Sequence, residues 1–407
     1  MSVQDLALQR DKYRHLTNEE WRWYLQQVDG RERTATKLPT FAAIDDWWYP
    51  VRLSLEQCSS EQTARYKASL VERPLRSKSK VERSAADLTA GYGVDTWFLS
   101  EHFTHTDYVE QNEELCRIAK HNFKIKNSKL KIQNSSLEVH HSTAEDFLET
   151  AGQYDLIYLD PARRDAHGGK VFRLEDCTPN VVTLLPTLLR HLTPDGQILL
   201  KLSPMLDITQ ALNTLTISPS PLAFDVHVIA VKNEVKEVLL LGRKTTSLKD
   251  ERQKTEITAI DLAEPDKEFR FTREEEQLST INSPTSLNSK LSTLNYLYEP
   301  NAAILKAGAY KLLGTRFGLQ KLDANTHLYA SDQLIADFPG RVWRIERTLK
   351  DRKDLPPDLH QANVLTRNYP LRPEELKKKL HLRDGGTAFI IGARVAGRPT
   401  LYLGYPA

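Results

Sequence analysis

The sequence predicts an α/β protein: a doubly wound parallel sheet, preceded by a helical region and followed by small α+β domains. Three observations carry this. Between Ala85 and Arg243, short apolar runs alternate with helical stretches: "AADL", "TDYVE", "LEVHH", "YDLIYLD", "GQILLKL", "VHVIAV" and "VKEVLLL". The first run leads into the glycine turn "AADLTAGYGVD", the strand-turn-helix junction of nucleotide-type folds. The last two runs are separated only by a few polar residues around Lys232 to Glu234, too few for a crossover helix, so the sheet ends in an antiparallel hairpin.

At 407 residues the chain is long enough for two to four domains. Charged residues make up 27% with a formal net charge of +2, so any nucleic-acid-binding surface must be local. Cys58, Cys116 and Cys177 lie far apart without CxxC spacing, which suggests neither a disulfide framework nor a metal site and fits a reducing cytoplasm. The N-terminus "MSVQDLALQRDKYRHLTNEEW" carries charges throughout, and no run of eighteen apolar residues occurs. Neither secretion nor membrane spanning is expected.

In chain order, residues 1–80 read as helices, with "LTNEEWRWYLQQV" opening on a Thr cap followed three residues later by Glu. Residues 81–245 hold the sheet described above. Beyond a boundary near Thr245 comes the charged run "KDERQKTEITAIDLAEPDKEFRFTREEEQ", read as solvated strands of a new domain, and then the linker-like "STINSPTSLNSKLST". Residues 246–334 include "NYLYEPNAAILKAGAYKLLGTRFGL", read as an amphipathic helix stopping at Gly314. Residues 335–407 end in a strand, a helix and a pair of strands.

The glycine turn admits a dinucleotide or S-adenosylmethionine (SAM). In the dinucleotide fingerprint a third glycine lets helix and strand approach, and here that place is Thr96. Asp87, ending the first strand, would repel a pyrophosphate by about a few kcal/mol at intermediate dielectric. It suits the ammonium and sulfonium of SAM, with Gly91 and Gly93 allowing close approach. Glu110 ends the second strand, where an acid accepts both ribose hydroxyls. After the third strand, "STAEDF" places Ala144, Glu145 and Asp146 near an adenine edge, although Thr143 stands where many such sites have an acid. Each acid alone reads as a cap or turn residue; together, at the ends of consecutive strands, they read as a cofactor site.

"YDLIYLDPARRD" puts Asp160 at the C-terminal end of a buried strand, where open parallel sheets bind ligands. Methyltransferases of exocyclic base nitrogens hold an aromatic residue two places after the proline. Here Ala162, Arg163 and Arg164 follow, so two guanidiniums suit phosphate or another anionic substrate group, or pair with Asp165 or Glu175 on the surface. Covalent pyrimidine chemistry would need a cysteine after the fifth strand, and "ILLKLSPMLD" has none; Cys177 could serve only if its loop folded back. That leaves direct in-line transfer by positioning, with Asp160 orienting the acceptor or taking its proton, Arg163 beside it, and Lys201 at the same edge.

Taken together these motifs resemble the class I SAM-dependent methyltransferases. More narrowly, "SLEQCSSEQTARYKA", "DLTAGYGVDTWFL", "LDPARRD", "LYEPNAAILKAGAY", "FPGRVW" and "LTRNYPLRPEELKKKLHLRDGG" resemble a bacterial family with a ferredoxin-like domain and a THUMP-like C-terminal domain. The resemblance implies a Rossmann-like seven-stranded sheet and a SAM site at Asp87, Gly91, Gly93, Glu110 and Asp160, with Leu88, Thr89, Asp95, Gln111, Ala144 and Glu145 around them. Gln57 and Ser59 would cover the cofactor. It also implies an RNA substrate, transfer or ribosomal. From Val364 to Ala407 eight Lys/Arg, Arg367 and Lys378 among them, face three acids, an excess that can serve phosphates or merely solvate a helix. A methyltransferase of a small molecule or protein, or an RNA-binding protein with a relic SAM pocket, would share these residues.

Overall fold

The computed structural model describes residues 3–71, 82–129, 136–162, 173–216, 222–244, 254–280 and 295–407. The chain packs as two compact units, Met1–Phe224 with Val238–Gln253, and Asp225–Glu237 with Lys254–Ala407.

The first unit opens with helices. Asn18–Lys37 begins with the expected capping box: the Glu20 N–H donates to Thr17 Oγ1 at 3.2 Å, and the Thr17 N–H to Glu20 Oε2 at 2.7 Å. Short helices Pro39–Ala42 and Arg52–Gln57 lead to Glu61–Val71. Residues 1–80 do not stand apart as a body. Phe41 and Trp47 share one core with Tyr92, Trp97 and Phe98 around the glycine turn, with Phe41 and Trp47 rings each about perpendicular to Trp97.

The strands of the large sheet are β1 Ser84–Asp87, β2 His105–Glu110, β3 Ser136–His141, β4 Tyr154–Leu159, β5 Leu192–Leu202, β6 Leu222–Val231, β7 Glu234–Lys244, β8 Glu256–Asp261 and β9 Phe269–Thr272. Their order is β3-β2-β1-β4-β5-β7-β6-β8-β9. Strands β3, β2, β1, β4 and β5 are mutually parallel, and β7 runs antiparallel to β5. The central strands are buried on both faces, as a parallel sheet covered by helices requires. The β6–β7 hairpin closes through Lys232 and Asn233, both left-handed at φ 53° and 62°, the geometry that matches strand twist. The Asp261 carboxylate accepts both of their N–H groups.

The seven expected strands are therefore present, and two more extend the sheet. β8 pairs parallel with β6, and β9 antiparallel with β8. The boundary near Thr245 thus separates strands of one sheet. The charged flanks hide β8 in the sequence; its centre, Ile257 to Ile260, is buried throughout.

The second unit also holds a seven-stranded sheet of β10 Tyr296–Pro300, β11 Gln320–Asp323, β12 Thr326–Ser331, β13 Gly340–Leu349, β14 Asn363–Arg367, β15 Phe389–Val395 and β16 Arg398–Pro406, in the order β11-β12-β10-β13-β16-β15-β14. The helix expected to stop at Gly314 is instead β10 followed by two helices, Ala302–Ala307 and Tyr310–Phe317. Gly308 and Gly318, left-handed at φ 86° and 62°, end them, while Gly314 is an interior, buried helix residue. The helix Pro373–Leu380 buries Leu376 and Leu380 against Ile390, Leu401 and Leu403.

Candidate cofactor site

Strands β1, β2 and β4 end together, and the glycine turn is tied to all three. The Leu88 N–H donates to Tyr158 O (3.0 Å), the Ala90 N–H to Val109 O (3.1 Å), and the Asp160 N–H to Thr89 Oγ1 (2.6 Å). Gly91 and Gly93 are left-handed, at φ 55° and 82°. A Cβ on Gly91 would meet nothing nearer than Thr89 O at 4.0 Å, so that side of the turn faces open space. A Cβ on Gly93 would come within 3.0 Å of Phe123 and 3.2 Å of Tyr108. Gly93→Ala is accordingly expected to destabilise the first unit by about 1–3 kcal/mol through backbone strain and crowding, read as a lowered melting temperature. Between the glycines, Tyr92 is clamped by the N-terminal region: its hydroxyl accepts from Trp47 Nε1 (2.7 Å) and donates to Trp48 O (3.1 Å).

Asp87 is buried, and its carboxylate turns inward. Oδ2 accepts from the Thr96 hydroxyl at 2.6 Å and Oδ1 from the Thr89 N–H at 3.2 Å. Thr96 at the third-glycine place is thus a tether between helix Val94–Leu99 and the end of β1. Burial, reinforced by Asp95 and Asp160 and opposed by the bonds from Thr96 and Thr89, pushes Asp87 up to about 8. The unfolded chain loses this proton near pH 4 and the folded chain only near pH 8, so within that window the folded state binds more protons and stability falls as pH rises. Asp87→Asn should flatten the pH 4 to 8 part of a denaturation-midpoint curve; an unchanged slope would assign it to other groups.

Glu110 is half-exposed. Its Oε2 accepts from the Gly91 N–H at 2.9 Å and Oε1 from the Asn112 N–H at 2.8 Å. Two of the roughly four lone-pair positions of a carboxylate are used, which leaves capacity for ribose hydroxyls. Gln111 is exposed and its carbonyl faces His141 Nε2 at 3.0 Å. After β3, Thr143 caps the helix Ala144–Leu148, with Ala144 buried and Glu145 and Asp146 exposed.

Asp160 and Lys201 are brought together at the ends of β4 and β5, with Lys201 Nζ 2.5 Å from Asp160 Oδ2 and the Asp160 side chain 37% exposed. Arg163 and Arg164 lie outside the described residues. Cys177 is buried, as an inert small residue would be. Gln57 is exposed at the end of its helix, whereas Ser59 is buried and donates to Asp95 Oδ2 at 2.8 Å.

Behind the turn lies an ion pair that sequence reasoning missed. Lys67 is fully buried, and its Nζ lies 3.1 Å from Asp95 Oδ1 and 3.1 Å from Ser59 Oγ. Tyr158 on β4 donates to Asp95 Oδ2 at 2.7 Å. Burial alone would push Asp95 up, yet the ammonium groups of Lys67 and Lys201 hold it below the usual carboxylate range. A signal was present: Ala64, Lys67, Ala68 and Val71 form the buried stripe of Glu61–Val71, so the lysine sits where a core residue belongs.

In the second unit, Arg367 is turned inward on Glu299, a buried acid it shares with Arg341. Lys378 is exposed on Pro373–Leu380, and the two are not held as one site. Among the described residues no helix is long and apolar enough to cross a membrane.

A ferredoxin-like domain family matches residues 296–339, and a THUMP domain-like family matches residues 340–406. Among solved structures the chain is similar to a candidate methyltransferase of Porphyromonas gingivalis W83, 32% identical, with 96% of this chain and 92% of that one covered and a TM-score of 0.81. It is also similar to a candidate methyltransferase of Streptococcus mutans in complex with SAH (S-adenosylhomocysteine), at 13% identity over 45% of this chain and 96% of that one, TM-score 0.32. An rRNA methylase of Streptococcus thermophilus matches at 14% identity over 45% and 96%, TM-score 0.32. These two likenesses are too distant to bear on function. No curated protein matches the sequence.

Proposed function

Since the chain belongs to the bacterial family of class I methyltransferases that carry ferredoxin-like and THUMP-like C-terminal domains, we propose that it methylates RNA in the cytoplasm by direct in-line transfer from SAM. The observation that carries this reading is the rim where the open side of Gly91 meets the carboxylates of Glu110 and Asp160. The residues present fit SAM. Asp95 and Asp160 face Lys67 and Lys201, so with Glu110 the site holds one acid more than its cations, matched to a donor with one net positive charge. A pyrophosphate would meet the same acids with the wrong sign.

When bound, SAM supplies a methyl carbon made electrophilic by its sulfonium leaving group. Glu110 accepts the ribose hydroxyls, Gly91 lets the methionyl half lie against the backbone, and Ala144 with Glu145 meets the adenine. Asp87 holds the turn through Thr96 and Thr89. Asp160 orients the acceptor and receives the proton it gives up, while Lys201 fixes the second carboxylate oxygen. Arg163 and Arg164, next in sequence, would engage a phosphate of the substrate, with Lys378 as a further contact in the second unit. The inward-turned Arg367 would first have to leave Glu299.

The test is transfer of label from SAM to RNA prepared from a deletion strain, followed by mass spectrometry of the nucleosides. A labelled nucleoside is expected. Label confined to protein or small molecules would overturn the RNA assignment, and no cofactor affinity by calorimetry would leave a relic pocket.

A further inference from the structure

The second unit contains a cleft of 540 Å³ with an apolar floor and a cationic rim. Leu376, Leu380 and Leu401 lie under its floor, nearly fully buried, and the half-buried ring of Tyr369 lines the opening. Gly392 on β15 lets that ring lie close, since a Cβ there would come within 3.0 Å of Tyr369 Cγ. Lys350, Arg352, Lys353 and Lys379 line the rim with one acid, Asp351, among them, and all five are exposed.

The local chain keeps these cations available. After β13 the chain makes a short 3₁₀ turn, Arg352–Asp354, with two acids bound to backbone amides. Asp351 Oδ1 accepts from the Lys353 N–H at 2.7 Å, and Asp354 Oδ2 accepts from the N–H groups of Lys350 (2.6 Å) and Asp351 (3.3 Å). Those backbone bonds, helped by the charges of Lys350 and Arg347, hold Asp354 below the usual carboxylate range. Neighbouring cations are ion-paired: Lys377 with Glu374 and Asp384, Arg347 with Glu346. Among the described residues, none of the four rim cations makes such a pair.

A bare anion would not need the leucine floor, and an apolar ligand would not need four cations. A nucleotide needs both, because it carries a flat aromatic face beside a phosphodiester. The volume is that of an ordinary small-ligand site, and duplex RNA keeps its bases stacked inside, away from such a recess. We propose that this cleft holds an unpaired nucleotide of RNA, its base against Tyr369 and the leucines and its flanking phosphates on Lys350, Arg352, Lys353 and Lys379. The inference rests on the RNA reading above and names what form of RNA the C-terminal segment takes.

The test is fluorescence anisotropy of the full chain with a labelled ten-nucleotide single strand. Its competitors are the corresponding duplex, an abasic strand, inorganic polyphosphate and UMP. The single strand should bind best, and the abasic strand about tenfold or more weaker. Arg352→Gln/Lys353→Gln should weaken binding at least tenfold and lower the salt slope by about 1.4, two single-strand phosphate contacts. Lys236→Gln/Lys267→Gln, which removes the same charge from outside the cleft lining and outside the C-terminal basic segment, should change affinity less than threefold. Unchanged single-strand binding by Arg352→Gln/Lys353→Gln would sink the cleft assignment and leave the RNA reading standing. Equal affinity for abasic strand or polyphosphate would remove the base from the site, and UMP binding as tightly as the strand would make it a free-nucleotide site. No RNA binding by the wild-type chain would remove the RNA reading itself.

Discussion

Lys67→Met is expected to lower the stability of the first unit by about 3–5 kcal/mol, the range for removing one partner of a buried ion pair. Lys67 has no exposed side-chain surface, and Asp95 about a tenth. Without the ammonium, Asp95 keeps two hydrogen bonds, from Ser59 and Tyr158, but loses the nearer of the charges that keep its carboxylate ionised under the protein surface. It must then be buried with only the more distant Lys201 to compensate it, or take up a proton.

The pH dependence separates this from simple loss of packing. In the wild type, Asp95 is held below its unfolded pKa; the stability this brings is present above about pH 4 and lost as pH falls through the folded value. The gap between Lys67→Met and wild type should therefore close only as pH falls below about 4, towards the folded value. A cavity penalty would persist. Lys67→Met/Asp95→Asn should recover most of the loss, because both charges are then gone. The readout is denaturant unfolding by tryptophan fluorescence, to which five of the six tryptophans, Trp21, Trp23, Trp47, Trp48 and Trp97, report from the first unit.

What was legible in the sequence was what depends on short range. Strands β1, β2, β4 and β5 show as apolar runs because the parallel centre of the sheet is buried on both faces, β6 and β7 show as two such runs around a short polar turn, and the glycine turn shows because only glycine sits easily at φ 55° and 82° beside a strand end. The acids Asp87, Glu110 and Asp160 were locatable for the same reason, each ending a run. What was hidden depends on partners far along the chain. β8 joins the sheet only by pairing with β6, and its charged flanks read as a solvated face. Lys67 looks like one more surface lysine until Asp95, 28 positions on, closes the pair. Arg367 counts towards a basic tail in a tally of charges, yet it is already turned onto Glu299 on another strand, a carboxylate it shares with Arg341. The helix expected through Gly314 failed locally: Gly308 and Gly318, not Gly314, take the left-handed conformation that ends a helix.

Asp160→Ala is expected to slow methyl transfer by about 10²–10⁴-fold, the range for losing a positioned acid-base group, while changing SAM affinity less than tenfold. The backbone around Asp160 has independent support that the substitution leaves in place. The Asp160 N–H is bonded to Thr89 Oγ1, Pro161 stiffens the next step, and Ala162 exchanges two hydrogen bonds with Thr178 at 2.7 and 3.0 Å. What is removed is the carboxylate, one oxygen on Lys201 and the side chain still 37% exposed at the strand end. A group acting on the acceptor alters kcat; a group serving only as a cofactor contact alters the apparent KM for SAM and leaves kcat. Lys201→Met supplies the comparison: it frees Asp160 Oδ2 and removes one of the two cations that hold Asp95 down, so it should cost rate through misplacement of a carboxylate that is still present. Asp160→Asn, which keeps the shape and one acceptor oxygen but cannot take a proton, should fall close to Asp160→Ala if proton acceptance dominates and close to wild type if orientation does. Transfer by Asp160→Ala at the wild-type rate would remove the residue from the chemistry and move the search to the next strand end along the rim.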